Sequence, residues 1–267
     1  MLSFVGMRIH LHCNKCTQAI TPGDSGLVYS SVVSHTDSGV YVVECPAGHV
    51  TTTVLHTPKH EVLFLIAANA ILDGYLREAV LSFSGALERY FEFALRVIAR
   101  ARHIPADVLV SAWKHLSAQS ERQFGAFVAA WMLVAPEAFV GVPLDVIQKH
   151  AAFRNKVVHK GSIPSMDECI LFGKHVASVI QPVEKVLAGR FGDAHTDECF
   201  ALSRSVSEAS DVPITVLSVY SVLDAIIEKG SSFEKAIERL VAERKFLGET
   251  PPATDRIIVR TVKVIDV

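Results

Sequence analysis

The sequence predicts a mainly α-helical protein with a small β-rich module at its N-terminus and a C-terminal helical extension that ends in a strand. Three observations support this fold class. Apolar residues alternate within the first 57 residues, recur at three- and four-residue steps from Glu61 onward, and give way to β-branched residues in 256–267. We therefore divide the chain into residues 1–60, 61–190 and 191–267.

The amino-acid composition and net charge limit the classes of function that this chain can have. The chain has 267 residues, half of them hydrophobic, and a formal net charge of -2 at pH 7. This balance excludes a strongly basic surface over the whole protein, so any nucleic acid must bind a local patch. The first residues lack the charged segment and apolar core of a secretory signal. The apolar run in 124–142 stops at Pro136, short of the roughly 20 residues that cross a membrane, so we expect a cytoplasmic protein.

Three of the five cysteines lie in a pattern typical of metal ligands. Two residues separate Cys13 from Cys16, and three residues separate Cys45 from His49. Each pair follows a predicted strand, and together they supply four ligands for tetrahedral zinc. This pattern predicts a zinc-ribbon-like module with a structural zinc ion, because four protein ligands leave no coordination position open for catalysis.

Two points about this metal site stay open in the sequence. The fourth ligand is less certain than the three cysteines, because His10, His12 and His56 are rivals to His49. The alternative explanation is that the thiols are unrelated residues of small strands. The odd number of cysteines fits a reducing cytoplasm with a metal site better than a disulfide framework.

The remainder of the chain is predicted as helices joined by short connections. A polar, Ser-rich connection with one short helix is expected over 191–211, and the terminal strand pairs either with the N-terminal strands or with another subunit. We expect helices over 61–72, 75–102, 105–119, 121–135, 165–188 and 233–246, one that follows Val212-Pro213 and runs to Lys229, and one from Pro143 that ends at the stop signals Gly161 and Pro164.

The helix from Pro143 carries an arginine, an amide and a histidine close together. Asn155 and His159 are four residues apart and share a helical face, and the long side chain of Arg154 can reach the same point near a helix end. A histidine can transfer a proton, and an arginine can hold a phosphate through two N–H groups. A surface histidine beside a helix-end arginine is the alternative explanation. Glu88 lies either on a solvated face or turned toward this motif.

The pattern Arg154-Asn155-x3-His159, followed by Lys160-Gly161 and a proline, resembles the R-x4-6-H signature of the HEPN superfamily, in which a polar residue directly follows the arginine. Residues 73–80 and 86–89 also resemble early helices of HEPN proteins from prokaryotic defence and toxin systems. The resemblance covers roughly residues 61–188. It implies a bundle of four or five helices and a metal-independent endoribonuclease that uses the 2′-hydroxyl of RNA as nucleophile.

The resemblance also implies roles for single residues. Arg154, Asn155 and His159 would be catalytic, and Lys156 and Lys160 would add positive charge for the RNA backbone. In the family two copies of the motif line one cleft, so one copy per chain implies a homodimer. The implied protein is a toxin or anti-phage effector, with an antitoxin or another regulatory protein as partner.

Two other classes of protein are compatible with the sequence. One is a non-catalytic HEPN module that binds RNA or a nucleotide, or that serves as a dimerisation scaffold for a partner. The other is a zinc-ribbon adaptor whose helices dock a partner protein. The intact Arg154, Asn155 and His159 favour the enzyme, whereas the modest overall charge favours the other two classes.

Overall fold

The computed structural model describes residues 8–18, 30–210, 214–227, 229–249 and 258–261. This part of the chain is mainly helical, with a small sheet region near the N-terminus and a strand near the C-terminus, which confirms the predicted fold class. The strands are β1 (Arg8–His12), β2 (Ser30–Ser34), β3 (Val40–Glu44), β4 (Val50–Leu55), β5 (Ile214–Leu217) and β6 (Ile258–Thr261). The helices are α1 (Asn14–Gln18), α2 (Lys59–Leu72), α3 (Leu76–Ala101), α4 (Ala106–Leu116), α5 (Ser120–Val134), α6 (Pro136–Phe139), α7 (Leu144–His159), α8 (Met166–Arg190), α9 (Gly192–Cys199), α10 (Ala201–Glu208), α11 (Val222–Ile227) and α12 (Phe233–Glu249).

The chain forms two compact units. The β unit comprises the described residues of 1–57, 200–220 and 241–267, and the helical unit comprises those of 58–199 and 221–240. The first boundary lies close to the one that the sequence suggests near residue 60. The segment 191–267, which the sequence suggests as one extension, contributes to both units, with α9 and α11 in the helical unit and α10, β5 and β6 in the β unit.

Two sheets make up the β unit. β1 and β2 form an antiparallel pair in which Arg8 lies opposite Ser34. The second sheet has the order β5-β4-β3-β6, with β3 antiparallel to both of its neighbours and β4 parallel to β5. The C-terminal strand therefore pairs with an N-terminal strand, one of the two partners that the sequence leaves open.

The sequence prediction of one helix from the end of Val212-Pro213 to Lys229 is wrong. Within the described residues this segment contains β5, followed by the short helix α11. The run from Ile214 to Leu217 includes the β-branched residues Thr215 and Val216, and it adds an edge strand to the sheet beside β4. The polar segment before it contains two helices, α9 and α10, where the sequence suggests one.

A cluster of aromatic rings lies at the centre of the helical unit. The ring centroids of Phe64 and Phe83 are 4.8 Å apart, and Phe83 lies 6.4 Å from both Phe172 and Phe233. Phe153 of α7 adds a fifth ring, 5.5 Å from Phe172. These distances are typical of aromatic contacts, and they join α2, α3, α7, α8 and α12. The cluster therefore fixes the position of α7 on the bundle.

One face of the apolar run in 124–142 packs into the core of the helical unit, whereas Leu133 and Val140 are exposed. α5 ends at Val134, directly before the helix that starts at Pro136. Phe127 and Trp131 are fully buried, and their rings stack with centroids 5.9 Å apart. Among the described residues, no helix combines the length and the apolar character that crossing a lipid bilayer requires.

Packing around Phe83 predicts opposite effects for two glycine substitutions in α8. A Cβ atom at Gly173 would lie 2.6 Å from Cζ of Phe83 and 2.9 Å from Cε2 of Phe233, so both buried rings would have to move. We expect Gly173→Ala to lower the free energy of unfolding by about 1–3 kcal/mol. Chemical denaturation followed by circular dichroism measures this change.

Gly189 of the same helix is the matched control. Apart from its chain neighbours and the nearby backbone of α8, no heavy atom lies within 4 Å of a Cβ atom built there. Alanine is the better helix former, so Gly189→Ala should leave the stability unchanged or raise it by about 0.5–1 kcal/mol. Equal stabilities of the two variants would contradict the close packing of α8 on Phe83.

Candidate functional site

The predicted motif lies in the last turns of α7, and the helical period decides which side chains face solvent. Phe153 packs on Phe172, and Val157, four residues later, is fully buried. Asn155 and His159 are also four residues apart, and both are exposed. Residues four apart share a helical face, as the sequence predicts for Asn155 and His159. The packing of Phe153 and Val157 turns this face outward.

Arg154 lies at the border between the buried and exposed faces of α7. Its side chain is 29% exposed, and Nη2 lies 3.6 Å from Oε1 of Glu88 in α3. Glu88 in turn accepts a hydrogen bond from the hydroxyl of Ser120 in α5. Of the two positions that the sequence allows for Glu88, the one turned toward the motif is therefore observed. A guanidinium has five N–H donors, so the contact with one carboxylate leaves donors for an anionic ligand.

Two hydrogen bonds and a glycine hold the end of α7 in place. Nη2 of Arg77 in α3 donates a hydrogen bond to the Val157 carbonyl at 3.4 Å. Gly161 has a φ of 69°, a left-handed conformation that favours glycine after a helix. The Ser162 N–H then donates to the Lys156 carbonyl at 3.3 Å. The predicted stop signal at Gly161 is confirmed, since α7 ends at His159 and Lys160 is its C-terminal cap.

The candidate RNA-binding residues Lys156 and Lys160 are exposed at this helix end. They place positive charge near the C-terminal carbonyls of α7, where cations are favourable. The helical period separates Arg154 from His159 by about 140° around the helix axis. Within one chain the side chains of Arg154 and His159 therefore project from different faces of α7. A ligand that contacts both requires either an extended arginine side chain or a second chain.

A second cluster lies in the β unit and unites the four predicted metal ligands. Cys13 follows β1, Cys16 lies in α1, Cys45 follows β3 and His49 precedes β4. One ligand atom of each lies within 4.8 Å of all the others. Sγ of Cys16 is 3.2 Å from Nδ1 of His49 and 3.7 Å from Sγ of Cys45. A tetrahedral ion bound about 2.3 Å from sulfur separates its ligands by about 3.8 Å, so this spacing fits a metal site.

Local turns hold both halves of the metal cluster. The Cys45 N–H donates to the His49 carbonyl at 3.0 Å, and the Gly48 N–H donates to the Cys45 carbonyl at 2.8 Å. Gly48 closes this turn with a φ of 77°. In the other half, the Thr17 N–H donates to the Cys13 carbonyl at 3.0 Å. The turns bring two short sequence pairs, far apart in the chain, to one point.

The electrostatics of the cluster also fit a cation. Cys13, Cys16 and Cys45 are at most 9% exposed. Burial, together with the neighbouring thiols of Cys13 and Cys45, raises the pKa of Cys16 to about 12. Three buried thiolates would repel one another, whereas a metal ion deprotonates its thiol ligands and offsets their charge. The soft sulfur donors and one imidazole therefore suit a bound metal ion.

The rival histidines do not join this cluster in the described part of the chain. His56 stacks on Phe200 with ring centroids 4.1 Å apart, and burial lowers its pKa. His12 is exposed at the end of β1 and does not belong to the group of ligand atoms. The side chain of His10 lies outside the described residues. His49 is therefore the histidine that meets the three cysteines.

Sequence reasoning missed two residues that support the motif on α7. Ser120 donates to Glu88, and Arg77 holds the carbonyl of Val157. Both contacts join residues more than 30 positions apart, so no local spacing signals them. Comparisons with models of protein families, with curated proteins and with solved structures find no match to this chain.

We expect the purified wild-type protein to contain a metal ion and the double variant Cys13→Ser/Cys16→Ser to lack it. It removes two sulfur ligands from the cluster, and the small β unit then loses the stability that ligation supplies. Metal analysis of the purified protein by mass spectrometry, together with thermal unfolding, measures both effects. Cys169→Ala, in the helical unit, is the control that keeps its metal content. Equal metal content in the double variant and the wild type would refute the ligand assignment.

Proposed function

We propose that this chain is a metal-independent endoribonuclease of HEPN type, which acts as a prokaryotic toxin or anti-phage effector. One observation carries the proposal. Arg154, Asn155 and His159 lie together in the last turns of α7, where the histidine and the amide are exposed and the arginine is oriented by a carboxylate. A proton-transfer group and a phosphate-binding group at one exposed helix end suit phosphodiester chemistry.

The proposed reaction uses the nucleophile that RNA itself provides. An imidazole of His159 takes the proton from the 2′-hydroxyl, whose oxygen attacks the adjacent phosphorus. The bond from phosphorus to the 5′-oxygen breaks, and an imidazolium gives a proton to that leaving oxygen. The products are a 2′,3′-cyclic phosphate and a 5′-hydroxyl. Histidine suits both roles because its unperturbed pKa lies near neutrality.

Arg154 and Asn155 bind the reacting phosphate in this proposal. The guanidinium offsets the negative charge that develops on the phosphate oxygens, and it can do so through two N–H groups at once. Glu88 holds the guanidinium near the surface of α3. The side chain of Arg154 therefore loses less conformational entropy when it binds the phosphate. The amide of Asn155 shares a face with His159 and can orient either the imidazole or the phosphate.

A homodimer completes the proposed site. The angular separation of Arg154 and His159 on α7 is large, and each chain carries one copy of the motif. A second subunit supplies the other arginine and histidine, so that base, acid and phosphate ligands surround one phosphodiester. The exposed apolar residues Ile163 and Met166, 80% and 42% exposed, directly follow the motif and offer a surface for pairing.

The proposed cleavage reaction implies RNA as the substrate and a regulatory protein as a partner. Lys156 and Lys160 are exposed beside His159 and supply local positive charge for an RNA backbone, although the net charge of the whole chain is -2. Cleavage of cellular RNA needs control, which an antitoxin or another regulatory protein would provide.

We also propose zinc as the ion of the cluster in the β unit. Three cysteines and one histidine are a ligand set that zinc favours in structural sites. Four protein ligands fill a tetrahedral shell, so the ion would stabilise the β unit rather than take part in RNA cleavage.

We expect purified protein to cleave RNA in the presence of EDTA, and His159→Ala and Arg154→Ala each to lose about 10²–10⁴-fold in rate, the range typical of a positioned acid–base group. Gel analysis of labelled RNA measures the rate, and mass spectrometry identifies 2′,3′-cyclic phosphate ends. Lys149→Ala, an exposed residue of the same helix whose partner is Asp145 at 3.7 Å, is the control that keeps activity.

Equal cleavage by the wild type and both variants would show that a contaminant cuts the RNA. If none of the proteins cleaves but the wild type binds RNA, the non-catalytic HEPN module becomes the better explanation. The formal net charge of -2 of this chain is compatible with such a non-catalytic module.

Mixing inactive subunits tests the dimeric site. We expect dimers of Arg154→Ala with His159→Ala to regain part of the activity, because each mixed dimer holds one intact guanidinium and one intact imidazole. Light scattering should give twice the chain mass of 29.1 kDa. A monomer with full activity, or a mixture as inactive as its components, would contradict a site shared between subunits.

A further inference from the structure

A chain of polar side chains that includes no residue of the motif on α7 joins α3, α8 and α9 in the helical unit. The hydroxyl of Tyr90 donates to Oε2 of Glu184 at 2.9 Å. Oε1 of the same carboxylate lies 2.6 Å from Nε2 of His195. On the other side of the ring, Nδ1 of His195 lies 4.0 Å from Sγ of Cys199. The imidazole thus bridges a carboxylate and a thiol.

The surroundings of these polar side chains determine that His195 is the one that carries a positive charge. Aromatic rings of Phe93 and Tyr90 surround His60, and burial lowers the pKa of His60 to about 4. By contrast, hydrogen bonds with Cys199 and then with Glu184 raise the pKa of His195 to about 10. At neutral pH His60 is therefore uncharged, and His195 holds a proton between the carboxylate and the sulfur.

The arrangement is one that activates a sulfur nucleophile. A reactive thiol typically has an imidazole within hydrogen-bonding reach, and a third group orients that imidazole. An imidazolium beside a thiol favours its thiolate form, which is the form that attacks electrophiles. Here Glu184 orients His195, and Tyr90 fixes the second oxygen of the carboxylate. The proposed RNA cleavage uses none of these groups.

Cys199 also differs from the other cysteines in access. Cys13, Cys16 and Cys45 are committed to the metal cluster. Cys169 is fully buried, its thiol donates to the Leu76 carbonyl at 3.4 Å, and burial raises its pKa to about 11. Cys199 is partly exposed, which admits a small reactant to its sulfur more readily than a bulky one.

We propose that Cys199 is a modification site at which a small hydroperoxide such as hydrogen peroxide oxidises the sulfur, with His195 as proton donor and Glu184 as the group that orients it. The sulfur attacks one peroxide oxygen, so that an S–O bond forms and the O–O bond breaks. The released hydroxide takes the proton of the His195 imidazolium and leaves as water. Cys199 becomes a sulfenic acid, oxidised by two electrons, and the peroxide is reduced.

The experiment exposes the full-length protein to hydrogen peroxide at pH 7 and traps sulfenic acid with dimedone. Peptide mass spectrometry then gives a labelling rate for each cysteine. We expect Cys199 to be labelled at least about tenfold faster than Cys169, and His195→Asn to lower the Cys199 rate by about tenfold or more, since it removes the imidazole that activates the thiol. Cys199→Ser should abolish the fast label.

Circular dichroism of each variant checks its fold. If His195→Asn does not fold, Tyr90→Phe replaces it, because that variant keeps the ring and removes only the hydrogen bond to Glu184; we then expect a smaller loss of labelling rate at Cys199. The comparison of Cys199 with Cys169 in the wild type needs no variant. Labelling of Cys199 no faster than that of Cys169, or an unchanged rate in a folded His195→Asn protein, would overturn the proposal.

Discussion

The contact between Phe153 and Phe172 determines what the helical unit can present to solvent. With Val157 buried one turn later, it fixes the rotation of α7 about its own axis. Asn155, Lys156 and His159 must then face outward, because the helical period leaves them no other position. A rotation of α7 by one residue would bury polar groups without partners, at a cost of several kcal/mol. An apolar contact thus selects which polar groups are available for chemistry.

The two units rely on different sources of stability. The helical unit has a continuous apolar core built around Phe83, with large side chains from several helices. The β unit is small, and small folds bury too little apolar surface to be stable unaided. Its three cysteines and one histidine form the compact cluster of the N-terminal part, where ligation of a metal ion can replace part of a missing core.

The sequence predicts features that depend on local spacing and misses those that depend on distant partners. The helical period predicts the shared face of Asn155 and His159, and the stop signal at Gly161 predicts where α7 ends. Ligand spacing predicts that the two cysteine-containing pairs meet. β5 was missed because its apolar residues suit either a buried helix or a strand, and only the neighbouring β4 decides between them. Glu88 had two positions in the sequence, and the packing of α3 against α5 and α7 selects one.

The second sheet draws its four strands from both ends of the chain, since β3 and β4 come early whereas β5 and β6 come late. Strands so distant in sequence pair slowly during folding, because the entropy of the long intervening chain is lost before the strands form stabilising contacts. On the ribosome, α7 emerges long before β6. Translation would therefore release every helix of the helical unit before β6, the edge strand that pairs with β3.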